Sequence, residues 1–140
     1  MIEQDNTAIV KTIYEAFGRG DIETILNSLA ENVEWIVSGD QDGIPYAGTY
    51  HGRGGARDFF SVLGDSIAYD RFEPRRFVAE RDQVAVFGYY HGTVKANRQT
   101  VETNWAMEWK LTNGQVVNFT AYDDTAAVAT AFAKAVAISA

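Results

Sequence analysis

The chain has no cysteine, so neither a disulfide nor a thiolate contributes to its stability or its chemistry. Basic residues are scarce. Twelve Lys and Arg stand against 19 Asp and Glu, a formal net charge of −7. That balance disfavours nucleic acid as a partner, because neutralising phosphates requires a basic surface. Anionic membrane surfaces are disfavoured for the same reason. No apolar run approaches the ~20 residues needed to span a bilayer. The opening Met1-Ile2-Glu3-Gln4-Asp5 is acidic and has no apolar signal core, so a cytoplasmic location is expected. Histidine occurs only as His51 and His91, at unrelated positions that give no metal-ligand spacing. Gly52-Arg53-Gly54-Gly55 lacks the lysine and the spacing of a phosphate-binding loop. Neither a metal nor a cofactor is therefore expected. No repeat, low-complexity linker or composition shift divides the 140 residues, so a single domain over 1–140 is expected.

What is present is a change of periodicity along the chain. Ile9, Ile13 and Phe17, with Ala16 beside them, recur every four residues and describe an amphipathic helix. Gly18-Arg19-Gly20 ends it, and Asp21 caps a second helix whose stripe is Ile22, Ile25, Leu26 and Leu29. Val33 to Val37 reads as a short strand holding Trp35. Residues 38–55 are rich in glycine and read as a long loop, of the kind that often forms lids. A third helix is expected over Ala56–Leu63. Strands follow at about Tyr69–Ala79, Val84–Val94, Thr100–Leu111 and Val116–Asp123. A last helix starts at Thr125 and carries Val128, Phe132 and Val136.

The final hairpin is the clearest signal. From Val101 to Leu111 the odd positions are Val, Thr, Trp, Met, Trp and Leu, while Glu102, Asn104, Ala106, Glu108 and Lys110 fill the even ones. A period of two over eleven residues gives one apolar and one wet face. Asn113-Gly114 supplies the positive φ angles of a tight turn. Helices followed by a run of strands predict an α+β fold, a curved antiparallel sheet wrapped around helices. The space between sheet and helices is expected to hold a mostly apolar pocket.

Ile13-Tyr14-Glu15-Ala16-Phe17 leading into Gly20-Asp21, then Leu29-Ala30-Glu31-Asn32-Val33-Glu34-Trp35, resembles the opening of the nuclear transport factor two-like superfamily. Pro45 to Gly52, then Phe59-Phe60, resembles the SnoaL-like, ketosteroid isomerase-related branch. Asn113-Gly114-Gln115-Val116 and Tyr122 to Ala127 complete the match. The resemblance implies the cone-shaped fold of that superfamily, and commonly a homodimer formed through the sheet's outer face. It leaves the reaction open, because one fold hosts many chemistries. Residue by residue, the isomerase's catalytic positions fall on or near Val37, Ile13 and Ala106, so classical steroid isomerisation is not expected. The Arg and Asp of the limonene-type epoxide hydrolases fall on Tyr89 and His91, their last acid on Asp124 and their tyrosine on Trp35. The histidine of dehydratase-like and cyclase-like relatives falls on Met107.

The candidate catalytic set is accordingly His91, Asp124 and Tyr89. A histidine beside a carboxylate makes a general base near neutral pH, and a tyrosine can donate to an oxygen that gains charge. Trp35, Val37, Trp105, Met107, Trp109, Tyr122 and Tyr46 are the candidate ligand-binding residues. Plainer roles stand beside these. Asp124 is placed to cap the last helix, His91 can lie at an exposed strand end, and the tryptophans can be core alone. A register slip of one residue would send Asp123 rather than Asp124 into the pocket. Two functions follow as expectations. One is a small cofactor-independent hydrolase, isomerase or cyclase acting on an apolar oxygenated molecule; the other is a non-catalytic binder or structural partner.

Overall fold

Among residues 2–134, which a computed structural model describes, the sequence periods become four helices and six strands. In chain order these are α1 (Ile2–Gly18), α2 (Ile22–Asn27), β1 (Leu29–Val37), β2 (Gly48–His51), α3 (Gly52–Ser66) and β3 (Ile67–Glu80). They continue with β4 (Gln83–Val94), β5 (Thr100–Thr112), β6 (Gln115–Asp123) and α4 (Thr125–Ala133). Gly20, at φ +71°, takes the left-handed conformation that closes α1. Asp21 then caps α2, its carboxylate accepting from the Thr24 amide at 3.1 Å and the Thr24 hydroxyl at 2.6 Å. At the β5–β6 turn both Asn113 (φ 51°) and Gly114 (φ 78°) are positive, as a tight hairpin requires. Val136 of the expected last helix lies outside the described residues.

The sheet runs β2-β1-β6-β5-β4-β3. Its neighbours pair antiparallel with one exception: β1 runs parallel to β6. The sheet is therefore mixed where an antiparallel one was expected. No hairpin joins β1 to β6; β2, α3, β3, β4 and β5 lie between them in the chain, and a connection that long permits either direction. The glycine-rich stretch is shorter as a loop than its composition suggests. Gly48–His51 pairs with β1 as an edge strand, and Gly52 to Gly55 already belong to α3. Leu29 is fully buried as expected, but as the first residue of β1 rather than in α2. Burial alone does not distinguish the two assignments.

Register shifts in β3, at Tyr69/Arg71 and Pro74/Arg76, bend the long β3–β4 ribbon around α1. α1 and α3 lie on the concave side, where Ile13, Tyr14 and Phe17 meet Phe72, Trp105 and Trp109, and Phe59 and Phe60 meet Trp35. Gly88 on β4 stands opposite Trp105 on β5. A Cβ at that glycine would lie 2.3 Å from a ring carbon of Trp105 and 2.4 Å from the Glu73 carbonyl oxygen. Only glycine lets the indole lie across the strand.

Candidate functional site

Between the helices and the concave sheet lies a narrow cavity of about 80 Å³ that opens to solvent. The parity of each strand decides what faces it. On β5, Trp105, Met107 and Trp109 point inward; on β4 the inward set is Val84, Val86, Gly88, Tyr90, Gly92 and Val94. On β6 the inward residues are Phe119, Ala121 and Asp123, which stand opposite Trp109, Met107 and Trp105. Among the described residues that line it, Asp123 is the one carboxylate, and no Lys, Arg or His joins it.

Tyrosines surround this acid. The Tyr90 hydroxyl donates to Asp123 Oδ2 at 3.3 Å, and the phenols of Tyr46 and Tyr69 lie close enough to feel its charge. Burial raises Asp123 from an ordinary carboxylate value to about 6; the Tyr90 hydrogen bond opposes the rise and the neighbouring Asp124 charge adds to it. Burial also holds Tyr46, Tyr69 and Tyr90 far above the usual phenol range, so all three are neutral donors at any physiological pH.

The opposite wall is aromatic and partly self-satisfied. Trp109 Nε1 donates to the Tyr14 hydroxyl at 3.0 Å, and Tyr14 in turn donates to Met107 Sδ at 3.1 Å. Trp35 and Trp105 differ: each indole N–H is buried without an acceptor among the described residues. Among the described residues no group of three or more His, Asp and Glu side chains comes together as a metal site would.

The three candidate catalytic residues are not brought together. His91 lies on the convex face, where its Nδ1 meets Asp70 Oδ1 at 2.6 Å. Tyr89 occupies the same face, with the guanidinium groups of Arg71 (4.9 Å) and Arg75 (4.8 Å) over its ring and its hydroxyl on Glu102. Residues 89 and 91 do share a face, but it is the face turned away from the cavity. Asp124 caps α4, its Oδ1 accepting from the Ala127 amide at 3.0 Å. On β6 a register shift sets which of the two acids faces inward. Leu111 pairs with Val116 but Lys110 pairs with Asn118, so one residue of β6 is passed over. Counting by twos from buried Val116 leads to Asp124; past the irregularity the inward set becomes Phe119, Ala121 and Asp123.

Trp35, Val37, Trp105, Met107, Trp109 and Tyr46 line the cavity, and Tyr122 borders it although 44% of its surface is exposed. Sequence reasoning passed over Tyr90, Tyr69 and Tyr14 as site residues. The signal for Tyr90 was available, since Val84, Val86 and Val94 mark the even positions of β4 as the inner ones.

A curved, unclosed sheet holding helices and an apolar cavity in its concave side defines an NTF2-like protein, and solved structures agree. An NTF2-like protein from Burkholderia xenovorans LB400 is similar with 33% identity and a TM-score of 0.84, over 93% of this chain and 97% of that one. An NTF2-like protein of unknown function from Burkholderia pseudomallei K96243 is 27% identical, with a TM-score of 0.86 over 93% and 98% of the two chains. A protein proposed to be a polyketide cyclase, from Xanthomonas campestris pv. campestris, is 25% identical with a TM-score of 0.71, over 91% and 99%. No curated protein matches the chain. The SnoaL-like domain model matches residues 10–119, and the chain belongs to that family.

Proposed function

We propose that the chain is a small enzyme that binds an apolar oxygenated molecule in the concave cavity and uses Asp123 to move a proton beside a carbonyl. The observation that carries this reading is a lone carboxylate, held near pKa 6, among otherwise apolar and aromatic walls. A base of that strength is ionised at neutral pH, yet returns its proton more readily than an amine would. The acid–base role thus passes from His91 and Asp124 to Asp123. The tyrosine hydroxyls, neutral and already inside, can donate to the oxygen that gains charge as the enolate forms. Reprotonation at another carbon would make the reaction an isomerisation; attack of the enolate carbon on a second carbonyl would make it a ring closure. Family membership and the likeness to a proposed polyketide cyclase support the latter. Trp35, Val37, Trp105, Met107, Trp109, Tyr122 and Tyr46 serve in this reading as the surface that holds the substrate.

The test is exchange of the α-hydrogens of 2-tetralone, a compact enolisable ketone, in D2O. The wild type should accelerate exchange, with a rate that climbs as pH passes through about 6. Asp123→Asn should lose at least about a hundredfold, whereas His91→Ala and Tyr89→Phe should stay within about twofold of wild type. Undiminished exchange in Asp123→Asn sinks the proposal. The lack of a histidine among the lining residues favours a second reading, a non-catalytic binder. It forecasts binding of the ketone without exchange.

A further inference from the structure

Proton transfer explains the tyrosines around Asp123 but leaves its charge unmatched among the described residues. We infer that the same cavity takes a protonated hydrophobic amine as a ligand, a single ammonium group on a compact apolar skeleton, held by an ion pair with Asp123 and by the aromatic faces around it. The inference rests on the proposed function only in placing ionised Asp123 where the ligand sits; it does not need catalysis.

Charge points the same way. Asp123 is half-buried and, among the described residues, has no cation to meet it. None of the lining residues is Lys, Arg or His, and the ion pairs among the described residues all lie elsewhere. A carboxylate drawn out of water without a counter-charge is expensive, and a cationic ligand removes that expense. The next residue, Asp124, adds a second negative charge close by, and the net charge of −7 draws cations toward the molecule.

Asp123 also has unused hydrogen-bonding capacity. A carboxylate offers about four acceptor positions, and among the described residues Asp123 receives one hydrogen bond, a long one from Tyr90 at 3.3 Å. An ammonium brings up to three donors. The wall adds an aromatic attraction. Tyr14, Tyr69, Phe72, Tyr90 and Trp105 line the cavity together with Asp123. Tyr69 and Tyr90 meet edge to face at 4.9 Å, and Phe72 and Tyr14 stack on Trp105 at 5.1 and 5.7 Å. A desolvated organic cation is attracted to the ring faces that this packing leaves toward the cavity. A neutral ligand of the same shape leaves the charge of Asp123 unmet, and an anionic one adds a like charge with nothing to balance it. The cavity should therefore rank ligands of equal shape as cation first, neutral second and anion last.

Three molecules on one skeleton test the ranking: 2-aminotetralin, 2-tetralol and tetralin-2-carboxylate, titrated near neutral pH and followed by tryptophan fluorescence and by the indole N–H resonances. The amine should bind the wild type at least about tenfold more tightly than the alcohol, and the carboxylate more weakly than either. In Asp123→Asn the advantage of the amine should vanish, while the affinity of the alcohol stays within about threefold. That unchanged alcohol binding shows the cavity is still formed. Glu102→Gln removes a carboxylate on the convex face and should leave the amine's advantage intact. Equal binding of amine and alcohol by the wild type, or no measurable binding of either, overturns the inference. So does an amine advantage that survives in Asp123→Asn. The two proposals separate cleanly: ketone exchange without amine preference leaves only the proposed function standing, and amine preference without exchange leaves only this one.

Discussion

Asp123 and Asp124 are adjacent residues of one type with opposite fates, and the difference between them is worth measuring. Asp124 faces solvent and stabilises α4 by capping it; Asp124→Ala should cost about 1 kcal/mol in urea denaturation. Its effect on ketone exchange should be small. Asp123 is turned inward, and burial lifts its pKa from 3.8 to about 6. Between those values the folded chain keeps a proton that the unfolded chain has released. The stability this proton confers is complete below about pH 4 and is lost as pH rises through about 6. At pH 7 the ionised, half-buried acid costs up to about 3 kcal/mol. Asp123→Asn removes that liability, so the variant should be more stable than wild type at pH 7 and should lose this advantage on acidification to pH 4. Equal stability across the whole range would mean that the acid is as well solvated as a surface one. A residue that destabilises the fold where it stands, in a cavity otherwise lined by uncharged residues, is more readily explained by chemistry or ligand binding than by packing.

At the scale of elements, the sheet places Asp123 through pairing rather than through any one contact. Trp105 stands between Asp123 on β6 and Gly88 on β4, and the indole fits because position 88 has no side chain. Gly88→Ala should destabilise the domain by about 3 kcal/mol and displace Trp105, visible as a change in near-UV circular dichroism; an unaffected spectrum and midpoint would contradict this geometry. The elements themselves were legible in the sequence because their periods are strong, from the Ile9/Ile13/Phe17 stripe of α1 to the alternation of β5 and the Asn113-Gly114 turn. The site was less so. On β4 the inward even positions include Gly88 and Gly92, which give no apolar signal, while Phe87, Tyr89 and His91 mark the odd face as rich in chemistry. On β6 a single register irregularity reverses the parity, and nothing in Val116-Val117-Asn118 announces it. Cavity-lining tryptophans on β5 could be named because that strand runs without a shift over the stretch that matters.

For the whole molecule, the convex face of the sheet is the surface left to explain. Val78, Phe87 and Tyr122 are 44%, 43% and 44% exposed there. Phe87 pairs with Ala106, and Ala106 with Tyr122, so three neighbouring strands present a row of apolar side chains. Beside it lies the lattice of Arg71, Glu73, Arg75, Tyr89 and Glu102. Exposed apolar rows rimmed by polar groups mark interaction surfaces, and we propose that a second copy of the chain covers this one, sheet against sheet. Sedimentation at micromolar concentration should show a dimer for the wild type and a monomer for Phe87→Lys. A wild type that sediments only as monomer ends the proposal. Phe87 is the better position for the test than Tyr122, because Tyr122 also borders the cavity and a change there would act on both surfaces. Phe87 points away from the concave side, so ketone exchange per protomer should be the same in Phe87→Lys as in wild type. Loss of both dimer and exchange in that variant would mean that the cavity takes its working shape only when the convex face is covered.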